Sequence, residues 1–442
     1  MCVVRDFDHG QGFSDGDLDL RLVCRAFDRA MTRVYFQHEY AKFHAWKDTA
    51  AQRLQECVID EGAVLAPHVR RMQIKLSKTF SSGKSLFGKN IDNEDEVLRT
   101  RYGEPLNLTT LVANVSAFVV KLEAAFFRLS KLERLAITLK EEWRSEANSH
   151  VGCNDGCEED DVEYGLVLNL DLLHLVRTNI ARAFSSPRIH LPLLTHLRLT
   201  LPSVYDLATI GAHISDDVAM QLQHLYLEYI DGTGPWGDIL YSRDRIGEWE
   251  EGGDNEYHPY SNLQQCFPNT DYMGHLCAFI SRCHNLKSLD LRGTQCMDLD
   301  ALVWRPTNTG LEKLYLSRAT MTASILVSLL SPCASGSATS SIVDLKLLRV
   351  EVADGTWATV FEHLLPSPSL ELLYVDDACY DRNRKSAHLA TDERLMWDEC
   401  RVIWSEEEQD LRSLRDLARM VAARGGDVGW ILDELENEMN DD

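Results

Sequence analysis

A short phrase, L-x-x-L-x-L, recurs along this chain and constrains its fold more than any other feature. It stands at Leu194-Leu197-Leu199, Leu222-Leu225-Leu227 and Leu286-Leu289-Leu291. It returns at Leu311-Leu314-Leu316, Ile342-Leu345-Leu347 and Leu370-Leu373-Val375. Earlier copies are Leu132-Leu135-Ile137, extended by Leu139, and Val69-Met72-Ile74, extended by Leu76. One such phrase means little among common leucines. Here successive copies start 63, 62, 28, 64, 25, 31 and 28 residues apart, so the short spacings repeat and the long ones are near twice that period. A unit of this length cannot bury its apolar side alone and must stack on its neighbours. The long gaps contain polar or Gly-rich stretches, which read as insertions.

The second and third apolar positions of each phrase flank one outward residue, the period-two signature of a short strand with one buried face. The first position enters the core just before that strand. The intervening segments have helical spacing. Leu108, Leu111, Val112, Val115, Val119, Leu122, Phe126 and Leu129 recur at intervals of three and four and predict one amphipathic helix. Leu166–Ser185 and Asp271–Cys283 look similar. The order strand, helix, strand predicts an α/β fold with a parallel sheet.

These segments resemble leucine-rich repeats with helical outer sides, over roughly Val69 to Cys379. The resemblance implies an irregular right-handed solenoid, with parallel strands on the concave face and helices on the convex face. Members of that family often carry Asn or Cys three residues after the third leucine. This chain has Pro202, Ile230, Thr294, Ala319, Val350 and Ala378 there, so a regular asparagine ladder is absent. The outward residues between the inward leucines are Arg198, Tyr226, Asp290, Tyr315, Lys346 and Tyr374. They are the candidate partner-binding residues, since tyrosines in one column favour protein contact.

Near the start, Leu20, Val23, Cys24, Phe27 and Met31 form a helical stripe, with Arg21, Arg25, Asp28 and Arg29 largely off it. The phrase Leu20-Arg21-Leu22-Val23-Cys24-Arg25-Ala26-Phe27 resembles the second half of an F-box, and Val34-Tyr35-Phe36 fits the stretch that follows in many fungal members. The resemblance implies that Leu20, Leu22, Val23, Cys24 and Phe27 bind a Skp1-type adaptor and, through it, a cullin complex. The repeats would then present a protein substrate for ubiquitin transfer by other subunits. The first half of the motif, a leucine-proline opening and an apolar helix, does not stand in Met1–Asp17, which is rich in Asp and Gly. A sequence truncated at its start and a degenerate F-box without adaptor binding both account for this. The expected organisation is therefore a partial F-box-like helical segment at 18–57, a solenoid at 67–380 with insertions at about 77–104, 140–163 and 231–269, and an acidic helical cap or tail at 391–442.

Charge narrows the partners. The 442 residues carry 69 acidic and 45 basic side chains, a formal charge of -24. Nucleic-acid backbones and anionic membranes call for the opposite sign, whereas a basic protein substrate is compatible. Three segments, Glu141–Glu163, Trp236–His258 and Thr391–Asp442, hold 23 of the 24 excess negative charges, so the repeats are nearly neutral. Trp236, Trp249, Tyr257 and Tyr260 make the second segment a candidate contact loop. In the third, Leu411, Leu414, Leu417, Ala418 and Val421 form an apolar helical face that Gly425-Gly426 ends. The N-terminus lacks the apolar stretch of a secretory signal, no segment is apolar enough to span a membrane, and the 12 cysteines are scattered, so a cytoplasmic or nuclear protein with reduced thiols is expected.

No catalytic motif stands out, and a non-catalytic binding or adaptor protein without cofactor or metal is expected. Gly83-Lys84-Ser85 suggests a phosphate-binding loop, but the glycine required five residues earlier is Lys78. Cys153 and Cys157, with His150 nearby, fall short of the four ligands of a structural zinc site.

Overall fold

A computed structural model of the chain describes residues 40–63, 65–76, 108–139, 170–231, 262–307, 310–331, 340–380, 402–405 and 407–438, with two-residue strand segments at 88–89, 98–99, 105–106 and 167–168. The fold is α/β, with nine parallel strands whose order in the sheet is their order in the chain. The chain divides into two compact units, one of Met1–Val151 and Asn169–Arg198, the other of Gly152–Leu168 and Leu199–Asp442.

The first unit contains β1 (Ala41–His44), β2 (Arg71–Lys75), β3 (Arg134–Thr138) and the start of β4 (His196–Leu201). The apolar positions of the phrase lie side by side: Met72 pairs with Leu135, and Ile74 with Ile137. All four are buried, at about 2 kcal/mol per large apolar side chain. The first position, Val69 or Leu132, is buried just ahead of its strand. The sheet begins earlier than the phrase predicts. Ala41 pairs with Met72 and Phe43 with Ile74, placing a strand inside the 18–57 segment expected to be helical. Its reason is visible in Ala-Lys-Phe-His, where the alternation puts Ala41 and Phe43 inward.

Helices cover this unit's apolar side. They are α1 (Ala50–Leu54, continued by a π-helical turn at Gln55–Ile59), α2 (Leu108–Val119), α3 (Leu122–Arg128) and α4 (Leu170–Ser185). The single helix expected over Leu108–Leu129 is thus two, broken at Val120 and Lys121. The Lys121 ammonium donates to the Ala51 carbonyl at 3.3 Å, holding the break against α1. The break turns Phe118 inward beside Phe43, at a ring separation of 5.9 Å, while Phe126 meets Phe184 of α4 at 5.5 Å.

The second unit contains the end of β4, then β5 (His224–Tyr229), β6 (Ser288–Asp298), β7 (Lys313–Met321), β8 (Asp344–Val352), β9 (Leu372–Asp376) and the two-residue β10 (Cys379–Tyr380), which pairs with β8. Leu225, Leu289, Leu314, Leu345 and Leu373 form one buried cross-strand row. Leu227, Leu291, Leu316, Leu347 and Val375 form the next. Entry into each strand is marked by a repeated backbone pattern. Lys287 and Ser288 both donate to the Gln223 carbonyl, Glu312 and Lys313 to that of Lys287, Val343 and Asp344 to that of Glu312, and Glu371 and Leu372 to that of Val343. This main-chain ladder pins the register, and side chains just ahead of two strands add to it, Ser341 donating to the Leu311 carbonyl at 2.8 Å and Ser369 to that of Ile342 at 2.9 Å.

The positions where an asparagine ladder was missing are filled by another device. Arg318, Arg349 and Asp377 each adopt a positive φ, between 53° and 57°. Each turns the next residue, Ala319, Val350 or Ala378, into the core, where all three are fully buried. Beyond this turn β7 and β8 pair again through Ala319 and Val350, and Met321 and Val352. Helices between the strands are α5 (Val204–His213), α6 (Asp216–Gln221), α7 (Asn262–Cys266), α8 (Asn269–Arg282), α9 (Ala323–Leu330) and α10 (Trp357–Leu364). Four of them, α5, α6, α9 and α10, start on Ser203, Ser215, Thr322 and Thr356, whose hydroxyls accept a backbone N–H three residues on.

The end of the sheet is closed by α11 (Glu408–Ala423) and α12 (Ile431–Glu438). α11 packs on α10, and its Leu414, Leu417, Ala418 and Val421 are buried. Asp410, itself buried, accepts the Ala358 N–H at 2.7 Å and the hydroxyls of Tyr380 and Ser405, each at 2.6 Å. Its carboxylate thereby caps the N-terminus of α10, where the helix dipole favours negative charge. Gly425, at φ +81°, ends α11. A Cβ on Gly426 would come within 2.6 Å of the Glu371 carbonyl, so only glycine passes here. The chain then runs beside β9, with Leu373 donating to Asp427 and Asp427 to Glu371. No helix among the described residues is long and apolar enough to cross a membrane.

Candidate binding face

The side chains between the buried rows point away from the core and form rows of their own. In the second unit Tyr226 pairs with Asp290, Asp290 with Tyr315, Tyr315 with Lys346, and Lys346 with Tyr374. Five of the six outward residues expected from the phrase therefore stand side by side, all half-buried. Arg198, the sixth, is exposed on β4 at the last residue of the first unit.

A second outward row, two residues on, was not singled out from the sequence. It runs Glu228, Arg292, Ser317, Leu348 and Asp376. The same period of two, carried one step past the third leucine, would have found it. Arg292 knits the two rows together. Its Nε and Nη2 donate to the two oxygens of Asp290, each at 2.7 Å. Its guanidinium lies 4.0 Å from the centre of the Tyr315 ring and 5.0 Å from that of Tyr226. Burial alone would favour the neutral guanidine, but the Asp290 hydrogen bonds and charge, with the two tyrosines, outweigh it and hold Arg292 above its ordinary value. Tyr226 donates in turn to Glu228 at 2.8 Å, and Thr200 to the same oxygen at 3.2 Å. Two tyrosine rings are thus clamped on a fixed cation and pre-organised for contact.

At the β9 end, Tyr374 donates to Asp376 at 3.3 Å. Burial and then Asp377 push the Asp376 carboxyl above the usual carboxylate value, while Tyr374 and Arg349 work against the shift. Asp377 is differently placed: it takes Arg349 Nε at 3.1 Å and the Trp404 indole N–H at 3.3 Å. Burial also raises the Tyr315 and Tyr374 phenols, so both rings stay neutral donors at physiological pH.

No family model and no curated protein matches the chain. What the geometry offers chemically is a half-buried plate of three tyrosines with charges of both signs around it. Among the described residues, no group of three or more His, Cys, Asp or Glu side chains is placed to hold a metal ion. Cys277 and Cys283 are buried thiols pushed up to about 12 by burial, which leaves them unreactive at neutral pH. The candidate adaptor-binding residues Leu20, Leu22, Val23, Cys24 and Phe27 lie outside the described residues, as do Cys153, Cys157, Gly83 and the aromatic residues of the second acidic segment.

Proposed function

We propose that this chain is a non-catalytic protein-binding module, the substrate-recognition subunit of an SCF-type ubiquitin ligase in the cytoplasm or nucleus. In this reading the parallel sheet is a right-handed leucine-rich-repeat solenoid, and its outward strand residues form the concave binding face. The observation that carries protein binding is the in-register row Tyr226, Asp290, Tyr315, Lys346 and Tyr374. Its tyrosines combine large apolar area with little conformational freedom to lose, as interface anchors do. The link to ubiquitin transfer rests on the F-box-like phrase from Leu20 to Phe27.

One observation favours a second reading, a repeat scaffold with a degenerate F-box and no adaptor. The strand at Ala41–His44 belongs to the sheet and shortens the stretch left for a helical adaptor-binding segment. A pulldown of the full chain with purified Skp1-type adaptor and cullin decides between them. Direct retention, lost in the Leu20→Asp/Phe27→Ala variant, supports the ligase reading. No retention of the adaptor by the wild-type chain sinks it.

A further inference from the structure

The outward face differs along the strands in charge. The segments that leave it at the strand ends, 228–231, 292–300, 317–322, 348–354 and 376–380, hold eight acids against three arginines. The corresponding strand starts, 223–226, 287–290, 312–315, 343–346 and 371–374, hold four acids against three lysines. The repeats are nearly neutral as a whole, so this is a local field at the edge of the tyrosine plate.

The molecule already shows how this face holds a guanidinium. Arg292 lies against Tyr226 and Tyr315 and is bonded twice to Asp290. Toward β9 the same ingredients recur without an arginine in the row. There the tyrosines are Tyr315 and Tyr374, and the second row reads Ser317, Leu348, Asp376. Among the described residues, Asp376 Oδ1 has no donor, and Oδ2 takes only the Tyr374 hydroxyl at 3.3 Å. Arg349, the nearby cation, is engaged by Asp377. Lys346 sits between the tyrosines in the first row, and among the described residues its ammonium makes no ion pair with Asp376.

We propose that this end of the face, at Asp376 beside Tyr374 and Tyr315, seats an arginine side chain from a basic segment of a protein partner. The proposal rests on the reading of the outward face as protein-binding and names the chemistry of what it binds. Arginine fits better than lysine because its planar guanidinium stacks on a tyrosine ring while donating to a carboxylate. Oδ1 is buried as the side chain stands, so the seat requires the Asp376 carboxylate to turn toward the guanidinium.

The test uses the full chain and a fluorescent nine-residue oligo-arginine, with oligo-lysine of equal length beside it, read by anisotropy. Asp376→Asn is expected to weaken oligo-arginine binding about tenfold, as loss of a charge-assisted contact does. Lys346→Glu is expected to tighten it. Asp217→Asn, the same change of charge at an exposed position on helix α6 rather than on the outward strand rows, is expected to shift it by less than about twofold, as a screened charge does. Thermal unfolding verifies that each variant is folded, and Lys346→Glu alone carries the test if Asp376→Asn does not fold. Asp376→Asn matching Asp217→Asn, Lys346→Glu failing to tighten binding, or oligo-lysine behaving like oligo-arginine would overturn the seat and leave only net charge. Loss of adaptor binding in the pulldown has no bearing on this measurement. If the seat fails but a partner is still lost on Tyr226→Ser/Tyr374→Ser substitution, the protein-binding reading stands without it.

Discussion

Three side chains that are neither apolar nor glycine, Arg318, Arg349 and Asp377, hold backbone conformations that L-residues rarely adopt. The left-handed region costs about 1–2 kcal/mol for such residues, and more for a β-branched one. Arg349 recovers part of this through its bond to Asp377. Arg349→Gly should therefore leave stability within about 0.5 kcal/mol, because relief of strain offsets the lost ion pair. Arg349→Val should lower it by about 2 kcal/mol, as it loses the ion pair and adds a branched Cβ at positive φ. Urea unfolding of both variants measures the difference, and equal midpoints would remove the strain argument. The inward leucines were legible because period two is a direct image of the pleat, and the first outward row followed from the same pattern. These turns were not legible, because nothing in an arginine announces a positive φ as Gly or Asn would. The partnership of Arg292 with two tyrosines was hidden too, since it depends on which strands are neighbours.

At the scale of elements, the segments with one clear apolar face were legible. Leu170–Ser185, Asn269–Arg282 and Glu408–Ala423 are helices close to where the spacing puts them. The division of α2 from α3 was not, because the apolar pattern runs through it and the break is held by a contact to α1, distant in sequence. The strand at Ala41–His44 was missed for a related reason: four residues give too little alternation to stand apart from a helical stripe. On α10, His363 contacts the Ser331 hydroxyl at 3.2 Å, and burial holds its pKa below the ordinary 6.5. The folded state therefore favours the neutral ring. Its contribution is present above pH 6.5, and it is lost as pH falls through the window between 6.5 and the lower folded value. His363→Gln should flatten the decline in urea midpoint between about pH 7 and 5, by a small amount because solvent screens a half-exposed ring. Identical slopes for variant and wild type would show that other groups set the acid limb.

Across the whole molecule, nine parallel strands succeed one another in chain order, and the last is covered by the chain's own C-terminal helices. That closure was legible as an apolar helical face, whereas the strand-like pairing of Asp427 with β9 was not, since it involves a single residue. A chain ending at Tyr380 loses the carboxylate that serves the Ala358 N–H and Tyr380 hydroxyl, and it opens the side of α10 that α11 covers. Such a chain should aggregate or melt without a cooperative transition, by size-exclusion chromatography and thermal unfolding; a soluble fragment that melts cooperatively would show that the cap is dispensable. The same closure has a consequence for synthesis. Because every strand pairs with one already made, the sheet can grow as the chain leaves the ribosome. The growing edge nevertheless stays open until the residues around Asp427 emerge, well after β9 itself has been made. An open edge invites pairing with other chains. Nascent molecules stalled before that point are thus the ones that chaperones must shield.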